Sequence, residues 1–188
     1  MKKLAAVLLV LALGCGARPE RRLTEAELRM IATARSMTEW GLPGLDARAE
    51  TIETVSNMDG SLRVTCTYDS DRVPEPRQAL YHVSAAQFFP TEIAAKDAFR
   101  RDVAAYRKGV ARVEGRSVRD AAALLKMGDE QYAAFMLHGD KPIGNIFVIR
   151  RGRVLHSLIV SRVYFDEPDG IRRLFAPMLA AAKTFENT

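Results

Sequence analysis

The sequence predicts an α+β domain: a mostly antiparallel sheet of about six strands with helices packed against it. Three observations predict it. Apolar residues recur at helical spacing in two well-defined segments, near 95–110 and 171–185. Six other segments of strand length alternate or run apolar between turn residues. The 188 residues, 48% hydrophobic and 27% charged, suit one buried core and are too apolar for a disordered chain. Two cysteines exclude both a disulfide-dense scaffold and a multi-cysteine metal module.

Residues 1–14 form an address rather than a structural element. Lys2 and Lys3 are a positive start, Leu4 to Leu13 is an unbroken apolar run, and small residues follow at Gly14 and Gly16. Ten residues of helix span about 15 Å, roughly half a bilayer core. The run therefore suits a cleaved signal and not a permanent span. Ala12-Leu13-Gly14-Cys15 resembles a bacterial lipobox, with Ala12 and Leu13 in the reverse of the commonest order. The resemblance implies lipidation (palmitate among the acyl groups) at Cys15 and a mature chain of 174 residues with a formal charge of +3. Gly16, rather than Asp, after the cysteine implies the outer membrane, with the domain facing the periplasm or the cell surface. An ordinary secretory signal that happens to contain a cysteine is the competing reading. Residues 15–23 read as the lipidated cysteine and a polar tether, whose Arg18, Arg21 and Arg22 suit either anionic head groups or plain solvation.

The single domain is expected over 24–188. Thr24 is a good N-cap with Glu27 as its capping-box partner, and Leu23 could staple onto Leu28. One helix is expected from there to Gly41-Leu42-Pro43-Gly44, with Leu28, Ile31, Arg35 and Thr38 on one face and Met37 and Trp40 nearby. Ala49–Met58 and Ser61–Tyr68 flank Asp59-Gly60, which suits a type I′ hairpin. Leu62, Val64, Cys66 and Tyr68 alternate with Arg63, Thr65 and Thr67, giving one buried and one wet face. Residues 69–76 read as a loop, and Ala79–Phe89 as a third strand.

Pro90 and Thr91 open a helix whose stripe is Ala95, Phe99, Val103, Tyr106 and Val110, with Gly109 as its expected stop. Between Arg112 and Gly128 only a short helical turn near Ala121–Lys126 is readable. A three-strand meander follows at Gln131–His138, Ile143–Arg150 and Arg153–Val163. Both faces of these strands are largely apolar, which implies cover on both sides or a central place in the sheet. Asp169 caps the last helix, with a stripe of Ile171, Leu174, Phe175, Met178, Leu179, Ala182 and Phe185. Pro177 should kink or split it. Gly128-Asp129-Glu130 before a strand, then the meander and its closing helix, resemble the PsbP-like and mycobacterial kinase extracellular sensor domains in topology. That resemblance implies a fold and no activity.

Motifs with chemistry are missing. Gly115-Arg116-Ser117-Val118-Arg119 lacks the second glycine of a nucleophile elbow, and the standard zinc-protease, redox and phosphate-loop patterns do not occur. His82, His138 and His156 fall in separate strands, which favours partly buried or rim histidines over a zinc site. Cys66, on the apolar side of its strand, reads as an inert buried thiol. Trp40 beside its Gly-Pro-Gly loop either lines a groove or closes one end of the core. Basic residues cluster at Arg100, Arg101, Arg107, Lys108, Arg112, Arg116 and Arg119, but Asp97, Asp102, Glu114 and Asp120 interrupt them. A second cluster, Arg150, Arg151 and Arg153, should sit solvated at a hairpin tip. Export and mixed charge both oppose nucleic acid as a partner.

The expectation is a non-enzymatic envelope lipoprotein, held to the membrane at Cys15 and binding an envelope protein. No catalytic, cofactor or metal residues are assigned. The alternative is a carrier or sensor for a small apolar or anionic ligand, with a cavity lined by Phe135, Phe147 and Leu158. A hydrolase ranks third.

Overall fold

The computed structural model describes residues 24–186 except 75, 77 and 78, with side chains as far as 183. Two short helices, α1 (Glu25–Leu28) and α2 (Ala34–Trp40), precede the strands β1 (Glu50–Ser56), β2 (Leu62–Asp69) and β3 (Tyr81–Phe88). The long helix α3 (Glu92–Ala111) leads to β4 (Arg116–Asp120), β5 (Glu130–His138), β6 (Lys141–Arg151) and β7 (Val154–Ser161), and α4 (Pro168–Glu186) closes the domain. All seven strands join one antiparallel sheet in the order β1-β2-β3-β7-β6-β5-β4. The fold is α+β, as the sequence predicts, with one strand more than expected. The extra strand is β4, an edge strand of alternating intermediate and exposed residues that offers no apolar run to read.

Strand β3 feeds α3, which crosses to the far edge, and the meander β4 to β7 walks back until β7 pairs with β3. The central strands are therefore covered on both faces. In β6 every residue from Gly144 to Arg150 is buried. Ile146 and Val148 pack with Ala95, Ala98 and the α3 stripe, while Phe147 and Ile149 pack with Leu174, Phe175 and Met178 on the other face. The α4 stripe is buried from Ile171 to Ala182, and Phe185 lies outside the described side chains. Each large side chain in it contributes about 1.5–3 kcal/mol by leaving water.

Several local expectations are corrected. The expected first helix is two helices, broken at 29–33, because Met30, Ile31 and Ala32 are fully buried and their peptide groups bond to the sheet. Arg35 and Thr38 are consequently exposed, and Ala34 and Met37 face the core. The Thr24–Glu27 capping box is present, and Gly41 ends α2 at φ 126°. In the β1–β2 turn only Gly60 has positive φ, so the connection spans Asn57–Ser61 and is not a two-residue type I′ turn. Helix α3 runs through the solvent-facing Gly109 to Ala111. Pro177 lies on the exposed face of α4, where the missing N–H faces water, and α4 continues as one helix. Leu23, the signal and Cys15 lie outside the described residues.

Two glycines give opposite expected outcomes. A Cβ at Gly144 would overlap the Val160 carbonyl and sit 2.6 Å from Met136 Cε, so Gly144→Ala should cost about 2–4 kcal/mol. Gly109 meets nothing within 4 Å, so Gly109→Ala should stabilise by about 0.5–1 kcal/mol. Urea melts of the two variants check the pair.

Candidate functional site

The sheet face under α1 and α4 carries a row of polar side chains that the sequence scatters over three strands. His82 and Ser84 come from β3, His156 from β7 and Cys66 from β2, and all four are buried. For His82, Ser84 and His156 the partner is the backbone between α1 and α2. A carbonyl can only accept, so the ring nitrogens donate: His82 Nε2 to Ala32 O and His156 Nδ1 to Met30 O, each at 3.1 Å. Ser84 Oγ accepts from Ala32 N at 2.7 Å, and Glu50 accepts from Ala34 N. The cluster therefore satisfies peptide groups that would otherwise be buried without partners.

The same geometry disarms it as chemistry. The His82 nitrogen 3.9 Å from Cys66 Sγ already donates its proton to Ala32, so it cannot accept one from the thiol. Burial pushes the Cys66 thiol up, with the nearby Glu50 carboxylate adding to it, so no thiolate forms at neutral pH. Burial also lowers both histidines to about 4. His138 stands apart, exposed at the end of β5. Among the described residues no three His, Cys, Asp or Glu side chains converge as metal ligands.

Several residues of the basic clusters have specific partners. Arg100 meets Asp97 at 3.8 Å and Arg107 meets Asp120 at 3.1 Å, while Arg119 lies 5.2 Å over Phe135. Tyr132 donates to Asp120 at 3.0 Å; partial burial and then that carboxylate push its hydroxyl up to about 12. Arg150 is not a solvated tip residue: its side chain is 10% exposed between Glu130 at 2.6 Å and Asp129 at 3.2 Å. Asp129 also accepts from Gly152 N at 2.8 Å, so Gly128-Asp129-Glu130 is a device for holding the β6–β7 turn. Arg151 and Arg153 are exposed, as expected.

A groove of about 210 Å³ opens at the end of the sheet where β7 finishes, between Trp40–Leu42, Tyr164–Glu167, Gly170 and Arg173. Its wall is built rigidly. Asn145, fully buried, donates to Phe165 O at 3.1 Å and accepts from Phe165 N at 2.6 Å, as a neighbouring strand would. Arg162 is held at φ 74°, and its guanidinium grips Asp71 through two bonds of 2.7 and 2.6 Å. A non-glycine residue in that region costs about 1–3 kcal/mol and persists where its surroundings over-determine it. Phe165 packs edge-on to Trp40 with centroids 4.3 Å apart, and Trp40 Nε1 donates to Gly170 O. Trp40 thus both closes the core and lines the groove. Tyr164, 47% exposed, Asp166, Glu167 and Arg173 are accessible side chains here. Sequence reasoning missed them: Arg162, Tyr164 and Arg173 sit in no periodic pattern, and only Trp40 beside two glycines gave a signal.

Phe147 and Leu158, expected in a ligand cavity, are fully buried against core neighbours, and Phe135 packs at the edge of the same cluster. A second groove, about 190 Å³, lies at the opposite end between Gly60, Leu62, Phe88–Pro90, Arg153 and Val154. No helix among the described residues is long and apolar enough to cross a membrane. Comparison with protein-family models, curated proteins and solved structures finds no match to this chain.

The histidine clamp makes stability depend on pH. Each histidine is harder to protonate folded, near 4, than unfolded, near 6.5. The unfolded chain therefore binds more protons between those values, and stability present above pH 6.5 is lost as pH falls to 4. The loss should reach about 3 kcal/mol per histidine. Urea midpoints measured from pH 7 to pH 4 should fall across that window, and His156→Gln should flatten the fall; a level wild-type profile would contradict the clamp.

Proposed function

We propose that this chain is a non-enzymatic envelope lipoprotein, anchored through Cys15 in the outer membrane, whose groove beside Trp40 binds a protein partner. The observation that carries the binding reading is the rigid aromatic groove itself. Asn145, Arg162 and Trp40 fix the loop that presents Tyr164, and fixed aromatic and arginine side chains at a concave surface are what protein interfaces use as anchors. Its volume favours a protein over a free small molecule. Enclosed small-molecule sites commonly run to about 300–1,000 Å³ and bury most of the ligand; this groove is open and about 210 Å³, room for one or two side chains. Asp166, Glu167 and Arg173 line it beside Trp40 and Tyr164, so a partner segment carrying an apolar side chain beside polar groups would fit.

Anchoring rests on the positive start, the ten-residue apolar run and Ala12-Leu13-Gly14-Cys15. A non-enzymatic role is supported by His82 and His156 being committed to holding backbone and by burial raising the Cys66 thiol. The carrier reading lacks the cavity it needs at Phe147 and Leu158.

Pull-down of the tagged full chain from gently solubilised membranes tests the groove. Tyr164→Ala with Arg173→Glu should reduce recovery of a stoichiometric partner at least tenfold while the urea midpoint holds. Recovery unchanged by the double variant would place binding elsewhere. Cys15→Ala should move the chain from the membrane to the soluble fraction.

A further inference from the structure

One end of the sheet differs from the rest of the surface. Ser56 pairs with Leu62, Leu62 with Phe88, Phe88 with Val154 and Val154 with Arg151, so these residues form the last register row at that end. Beyond the row lie the 57–60 turn, Pro90 with the start of α3, and the β6–β7 turn. Four large hydrophobic side chains are exposed among the described residues, and three gather here: Met58 at 99%, Ile93 at 75% and Val55 at 47%. Arg151 and Arg153 are exposed beside them. The carboxylates at the same end are Asp59, tied to Ser61 at 2.6 Å, Glu92, Asp129 and Glu130, both paired with Arg150, and Glu25 of α1, paired with Arg29 at 3.8 Å.

The chain enters the domain at this end as well. Ala32 lies over Ser84, and Met30 lies over His156, two register rows nearer to Phe88 and Val154. Leu28 packs in the cluster that includes Phe88 and Val154, and Thr24 is one helical turn before it. Residues 15–23 reach at most ~30 Å when extended. The eleven residues of β6 alone span about 35 Å. An anchor at Cys15 therefore joins the domain at this end, and the Trp40 groove lies at the far end.

We propose that this end is a membrane-contacting face, with Met58 and Ile93 seated among the head groups of an anionic bilayer and Arg151 and Arg153 against lipid phosphates. The inference rests on anchoring through Cys15. The apolar tips gain what interfacial residues gain by entering the outer ~5–10 Å of a bilayer, and the arginines match its charge. The tether adds Arg18, Arg21 and Arg22, with Glu20 among them, to the same side.

The test uses the full chain purified from its own membranes and placed in vesicles of phosphatidylglycerol and phosphatidylethanolamine. Met58→Cys and Asp140→Cys, the latter in the β5–β6 turn at the opposite end, each accept a polarity-sensitive fluorophore, because Cys66 is buried. Intact mass reports acylation of the same samples. The expected result is an acylated chain whose label at 58 is blue-shifted and loses most of its emission to brominated acyl chains, while the label at 140 does neither. An acylated chain with equal emission at both positions overturns the membrane face and leaves anchoring standing. A label at 58 shielded by a co-purifying protein and insensitive to brominated lipid overturns it too. A chain without acyl groups overturns the anchoring and this inference together.

Discussion

The arrangement depends on one interaction: the grip of His82, Ser84 and His156 on the backbone from Met30 to Ala32. That segment is fully buried, and a buried peptide group left without a partner costs about 1–3 kcal/mol. The sheet supplies the partners from side chains because its own strands are already paired. Once the segment is pinned, α1 is placed over Val154 and Ala182, and α2 is aimed so that Trp40 meets Phe165 and Gly170. Both ends of the molecule thus take their form from one polar seam. The groups that look most reactive in the sequence are spent on architecture.

The two ends differ in chemistry. At one, the chain enters beside exposed apolar side chains and arginines. At the other, Asn145, Arg162 and the absence of a Cβ at Gly144 hold an aromatic wall in place. The cost of holding Arg162 at positive φ is offset by its bidentate bond to Asp71 and by its backbone bond to Ile143. A loop fixed this firmly at a surface is suited to presenting side chains to a partner, and its distance from the chain's entry leaves it open when the other end is at a membrane.

Much of the fold was legible because burial writes a period into the sequence. The stripes of α3 and α4 and the alternation of β2 follow directly from which face meets the core. The two-sided apolar character of β6 correctly implied cover on both faces. Where the signal failed, the determinant was tertiary. The break at 29–33 depends on three side chains that are 50 to 126 residues away, and no local pattern encodes it. β4 is an edge strand with little to bury, and Arg150 reads as a surface charge until Asp129 and Glu130 are brought beside it. The groove was legible only through Trp40, since Tyr164 and Arg173 gain meaning from the loop that carries them.

The central claim is that a lipid-anchored chain holds a protein at its far end. Native mass spectrometry of the protein released gently from its own membranes tests it most directly. The account predicts an acylated chain beginning at Cys15 in a fixed ratio with a second protein. A chain retaining residues 1–14, or an acylated chain carrying only a small-molecule mass, would contradict it.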